Sequence, residues 1–174
     1  MTLKNTLATI FLVLTIGSNS CTNSEKKKTN VSPFKKSLIE RKVDGTNYLI
    51  ALPKGYQIKE SRGMDFSVYY FLPSDTSVKA PFKGGFYLGN HGAGFGPDSI
   101  TCKLKDLTSP LLNVEQSWSL YNCNGKYQVE TFADSKSGYN WGKMLHVFGR
   151  ADSDADLKKL LDIYSTLKVS NQTK

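Results

Sequence analysis

At 174 residues, 39% of them hydrophobic, the chain has room for one domain with a sizeable core. Its formal net charge of +8 is unevenly spread: Lys4 and the stretch Thr22 to Ser37, with five lysines against Glu25, hold most of it and leave +3 from Leu38 onward. That remainder is ordinary for a domain and forms no basic stripe interleaved with aromatics, so no nucleic-acid partner is expected.

The first element in chain order is Leu7 to Cys21. Lys4 supplies a basic n-region, Leu7 to Ile16 an apolar run, and Gly17 to Ser20 a series of small residues. A run of ten apolar residues is about half of the roughly 20 that a spanning helix needs, so the segment reads as a removable export signal over residues 1–20. Cys21 resembles the lipid-attachment cysteine of bacterial lipoproteins. That resemblance implies a diacylglycerol thioether on Cys21, a membrane partner reached through the acylated N-terminus, and residence in a bacterial cell envelope facing the periplasm or the cell surface. The alternative is a soluble secreted protein cleaved near Ser20, with Cys21 spare. Residues 22–37 are polar and lysine-rich, too poor in large apolar groups to offset the entropy of ordering them, and with Cys21 they form an expected flexible tether over 21–37.

A single domain is expected over 38–170, followed by a short tail at 171–174. Ile39 to Val43 and Thr46 to Leu52 flank Asp44-Gly45, a dipeptide suited to a tight hairpin turn, and Pro53-Lys54-Gly55 ends the second strand. Phe66 to Leu72 is apolar on both alternations, which predicts a central strand, and Phe82 to Leu88 predicts another. Gly89 to Pro97 is glycine-rich, but it has neither the dinucleotide nor the P-loop spacing and no helix follows it. Tyr87, His91 and Phe95 are the candidate binding residues, because aromatic faces in such a loop can anchor a partner. Phe95 folded onto the core is the competing reading.

Ile100, Cys102 and Leu104 alternate with polar residues, predicting a half-buried strand with its cysteine inward. Trp118 to Cys123 and Lys126 to Phe132 flank Asn124-Gly125, a second hairpin; counting from the turn, Trp118, Leu120, Tyr127 and Val129 share one face, and Tyr121, Cys123 and Phe132 the other. Cys102 and Cys123 pair by parity in an exported, oxidising setting, with two packed thiols as the alternative. Trp141 to Gly149 predicts the last strand. Asp154 to Lys168 predicts a helix, since Leu157, Leu160, Leu161, Tyr164 and Leu167 fall on one stripe. Asp152 or Ser153 can cap it, and Lys168 is expected at its negative end.

The fold class expected is α+β, an antiparallel sheet of about six or seven strands with one C-terminal amphipathic helix packed on a face. Tyr48 to Tyr56, with its Pro-x-Gly-aromatic turn, and Leu160 to Lys168 are similar to the opening strand and closing helix of the PsbP-like superfamily of exported proteins. The resemblance implies an accessory or assembly role without chemistry of its own. His91 and His146 are the only histidines and share no ligand spacing, and Asp152, Asp154 and Asp156 lack the glycine and distal glutamate of a calcium loop, so no metal, cofactor or catalytic residue is expected. His146, alternating with Leu145 and Val147, reads as a satisfied sheet histidine. The function expected is non-enzymatic: a binding or accessory factor for another envelope protein or, alternatively, a carrier of a small apolar ligand in a cavity between sheet and helix.

Overall fold

The computed structural model describes residues 31–92, 94, 96, 102–136 and 142–170. Residues 31–174 make up one compact unit. Cys21, Phe95 and Trp141, and the signal at 1–20, lie outside the described residues.

The architecture is α+β. Among the described residues, ten strands form two antiparallel sheets. The larger has the order β3 (Tyr56–Arg62), β4 (Phe66–Pro73), β5 (Phe82–Gly89), β9 (Met144–Ala151), β8 (Lys126–Asp134), β7 (Val114–Cys123), β6 (Lys103–Leu111). The smaller joins β1 (Ile39–Lys42), β2 (Tyr48–Leu52) and β10 (Lys168–Val169). The N-terminal hairpin therefore does not extend the main sheet. It lies with α2 (Asp154–Tyr164) on one face of the large sheet, where Tyr48 meets Phe86 edge-on at 5.8 Å.

That inner face is built by alternation. Tyr69 and Phe71, Phe86 and Leu88, Leu145 and Val147, Val129 and Trp118 point from successive strands into one core with Leu157, Leu160, Ile163 and Tyr164 of the helix. The Asn124-Gly125 turn has both residues at positive φ, 55° and 81°, and Cys123 pairs with Lys126 and Leu120 with Val129, so the expected faces of this hairpin hold. The sheet takes a further two-residue turn at Leu112-Asn113, which joins β6 to β7.

Several boundaries differ from expectation. α2 stops at Tyr164 because the Ser165 and Thr166 hydroxyls donate back to the Asp162 and Ile163 carbonyls, and the chain leaves as β10. Lys168 is thereby carried away from the helix end to Glu40, at 2.6 Å. The N-cap is Ser153, whose Oγ accepts from Asp156 N at 3.2 Å. The strand expected around Cys102 lies further on: β6 runs Lys103–Leu111, and Leu104 is 61% exposed because β6 is an edge strand whose buried positions are Ser109 and Leu111. β3 was not expected at all. It has apolar residues only at Tyr56 and Ile58 and is held largely by its ladder to β4.

The expected tether also ends early. Ser32 caps a short helix α1 (Pro33–Lys36), Ser32 Oγ donates to Asp162 at 2.5 Å, and Phe34 sets its ring against Phe82 at 6.3 Å. A cap followed by proline at the first helical position is a local start signal, and Phe34 is the apolar residue it delivers to the core.

The closest approach of helix to sheet occurs at Tyr164. Its hydroxyl accepts from Gly85 N at 3.0 Å and donates to the Phe148 carbonyl, tying β5 to β9 where Gly85 and Phe148 pair. Gly84 and Gly149 sit opposite one another beneath it. A β-carbon at Gly84 would collide with the Tyr164 hydroxyl, and one at Gly149 would lie 2.6 Å from Leu160. Burial pushes the Tyr164 phenol well above its ordinary value, so it stays a neutral donor. Tyr164→Phe should keep the fold but lower stability by about 1–3 kcal/mol, the cost of leaving buried backbone groups unpaired, as read from urea unfolding.

Candidate functional site

The outer face of the large sheet carries no helix among the described residues, and its side chains can be ranked in rows by register. One row is Tyr70, Gly85, Phe148, Glu130 and Ser119; the row beside it includes Lys83, Arg150, Gln128 and Tyr121; the row on the other side is Val68, Tyr87, His146 and Phe132. Gly85 leaves a gap at the centre of the first row. A β-carbon there would strike the Tyr69 carbonyl, so the position admits no side chain, and the Phe148 ring leans toward it.

A cavity of about 330 Å³ opens beside this gap. Tyr70, Leu72, Tyr121 and Phe148 give it apolar walls, Glu130 and Gln128 are its polar wall, and the exposed Lys83 and Arg150 complete the lining. The volume falls at the lower end of small-molecule pockets, roughly 300–1,000 Å³. Tyr70 is 37% exposed and meets Phe148 edge-on at 6.1 Å.

Glu130 is buried and held by neutral donors. Tyr121 Oη donates to Oε1 at 3.3 Å and His146 Nε2 lies 3.0 Å from Oε2. Burial depresses the His146 pKa, with the Glu130 hydrogen bond and charge opposing it, so the imidazole is neutral near pH 7 and donates from Nε2 to the carboxylate. Burial and the same carboxylate raise the Tyr121 pKa. The His146 ring is stacked on Phe132 at 4.1 Å and is 1% exposed, which makes it a support for Glu130 rather than a group facing the cavity. It is a buried sheet histidine, as its alternation predicts, bonded to Glu130 through Nε2.

The glycine-rich segment also meets this face. A β-carbon at Gly92 would collide with Met144 and Phe132, one at Gly94 would lie 3.6 Å from the Glu130 carboxylate, and one at Gly96 would lie 2.9 Å from the Tyr121 hydroxyl. The three glycines thus face β9, β8 and β7 in turn. Close approach explains the composition.

Of the residues singled out for binding, Tyr87 stacks on Phe66 at 5.7 Å, and its hydroxyl accepts from His91 N at 3.3 Å. Both lie at the end of β5 and neither lines the cavity, while Phe95 is outside the described residues. The space expected to hold a cavity, between sheet and helix, is filled by Trp118, Tyr164, Leu160 and Val147, each buried; Trp118 and Tyr164 rings are 5.3 Å apart. Large aromatics close it. Sequence reasoning missed Tyr70, Lys83, Glu130, Phe148 and Arg150 as a group, because only the strand order brings β4, β5, β9 and β8 side by side.

Cys102 and Cys123 form a disulfide with α-carbons 4.4 Å apart. Extending the register from Lys103 opposite Asn122 puts the two cysteines directly opposite, so the bridge closes the open end of the β6–β7 hairpin. Asp154 and Asp156 pair with Lys158 and Lys159, and Asp152 with Lys79, which accounts for these acids as helix-start charge. Among the described residues, no group of three or more His, Cys, Asp or Glu side chains converges to hold a metal ion.

The neutral His146 has a pH consequence. Its folded pKa lies below the ordinary 6.5, so the unfolded chain takes up the proton first; stability is full above about pH 6.5 and is lost as pH falls toward the folded value. His146→Gln, which retains a donor for Glu130, should flatten the decline between pH 7 and the folded pKa when urea midpoints are compared across pH. An unchanged slope would show that another group carries it.

Searches of protein-family models, of curated proteins and of solved structures find no match to this chain.

Proposed function

We propose that the chain is a non-enzymatic binding lipoprotein of the bacterial cell envelope, anchored through Cys21, whose outer sheet face takes up a small ligand with an apolar body. The observation that carries this reading is the aromatic cavity of about 330 Å³ walled by Tyr70, Tyr121 and Phe148 on a sheet face without a covering helix among the described residues. The glycine backbone of Gly84 and Gly149 lies between these rings and gives the cavity a concave lining. The anchor rests on the short apolar signal, the small residues before Cys21 and the lysine-rich stretch after it. The disulfide is consistent with an oxidising compartment. No helix of the described residues is long and apolar enough to cross a membrane.

A second reading, the accessory or assembly factor for an envelope protein that the PsbP-like resemblance implies, is favoured by the edge strand β6. β6 is an edge strand among the described residues, and Leu104 near its start is exposed.

Two experiments test the proposal. Neutral N-phenylnaphthylamine should gain fluorescence on binding the folded protein, and Tyr70→Ala should weaken that binding about tenfold with an unchanged melting temperature, since truncating a buried aromatic anchor typically costs more than 1 kcal/mol. No signal from the folded protein would contradict the ligand reading. Cys21→Ala should abolish palmitate labelling and release the protein from membranes; unchanged labelling and retention would contradict the anchor.

A further inference from the structure

Lys83 on β5 and Arg150 on β9 occupy opposed positions in the ladder, and both line the cavity with exposed side chains. Like charges directly opposite across strands destabilise a sheet. Among the described residues, neither side chain makes a hydrogen bond or an ion pair; the acids nearby are committed elsewhere, Asp152 to Lys79 and Glu130 to His146 and Tyr121. Gln128, the ladder partner of Arg150, adds an amide to the same lining and makes no side-chain hydrogen bond among the described residues.

We propose that the ligand of this cavity is an amphipathic anion, an apolar body carrying one carboxylate or a similar oxyanion, with its charged group held between Lys83 and Arg150 and its body against Tyr70, Leu72 and Phe148. The assignment rests on the ligand-binding reading of the cavity given above and adds the charge. Aromatic walls alone would suit a cation over their faces as well. Lys83 and Arg150 favour an anion over a cation, because two exposed cations outnumber the one buried carboxyl group in the lining. Arg150 presents a planar fork that matches an oxyanion with two parallel hydrogen bonds, and Lys83 adds a point charge from the adjacent strand. Glu130 offsets only part of their charge, since it is a single carboxyl group set against two cations, and it is buried and hydrogen-bonded to Tyr121 and His146.

The test uses the mature chain and two sets of isosteres differing only in charge: octanoate, octanol and octylamine, and phenylacetate, phenylethanol and phenethylamine. Affinities are measured by calorimetry at low and high salt, with binding located by amide chemical shifts. The expected result is that the anion of at least one set binds about tenfold tighter than its alcohol, that the advantage shrinks with salt, and that the shifts centre on Gly85 and Phe148. The double variant Lys83→Gln with Arg150→Gln, both exposed and unpaired among the described residues, should bring anion and alcohol to equal affinity and leave the alcohol affinity unchanged. Equal affinity of anion and alcohol in the parent protein, or tighter binding of the amine, overturns the charge assignment while leaving the cavity a ligand site. Absence of binding by every member overturns both readings.

Discussion

The structure depends on how closely α2 can approach the large sheet, and that distance is set by the Tyr164 hydroxyl. A helix rests on a sheet through side chains from both, so bringing a phenol into contact with backbone requires that the sheet have none at that place. Gly84 and Gly149, opposite each other on β5 and β9, meet this condition, and Leu160 and Tyr164 fill the room they leave. The hydroxyl then bridges Gly85 N and the Phe148 carbonyl, so helix and ladder share hydrogen bonds. Neutrality of the phenol, enforced by burial, keeps its proton available for this bridge.

The same locality shapes the opposite face. Gly85 is confined by the Tyr69 carbonyl and leaves a gap on the outer side, toward which Phe148 leans while Tyr70 meets it edge-on. The two faces of one short glycine-rich stretch therefore have opposite outcomes, a filled core under α2 and a walled opening above. Polar groups reinforce the division. Glu130 is buried and hydrogen-bonded to Tyr121, and desolvation holds His146 neutral beside it. Lys83 and Arg150 on the same face are exposed.

Elements with strong local signals were legible in the sequence. The Asn124-Gly125 hairpin, the apolar stripe of α2, the central strand at Phe66 to Leu72 and the α+β class all follow from turn chemistry and periodicity. The disulfide followed from parity, and its feasibility from a register that only the second hairpin turn at Leu112-Asn113 fixes. What was missed had weak local signals. β3 is nearly all polar and exists through its neighbour, and the end of α2 is set by two hydroxyls whose competition with the backbone is not visible in a hydrophobic stripe. Glycines at 84 and 85 read as flexibility, yet close packing is what requires them. The cavity was assigned to the wrong side of the sheet because aromatic richness on both strand faces does not say which face α2 will fill; Trp118 and Tyr164 decide that.

The measurement that bears most directly on the central claim is a crystal structure of the mature protein with octanoate bound. The account predicts the carboxylate between Lys83 and Arg150 and the chain along Tyr70 and Phe148, with the core under α2 unchanged. A ligand lodged beneath α2, or seated at Tyr87 and His91 with the outer cavity empty, would contradict it.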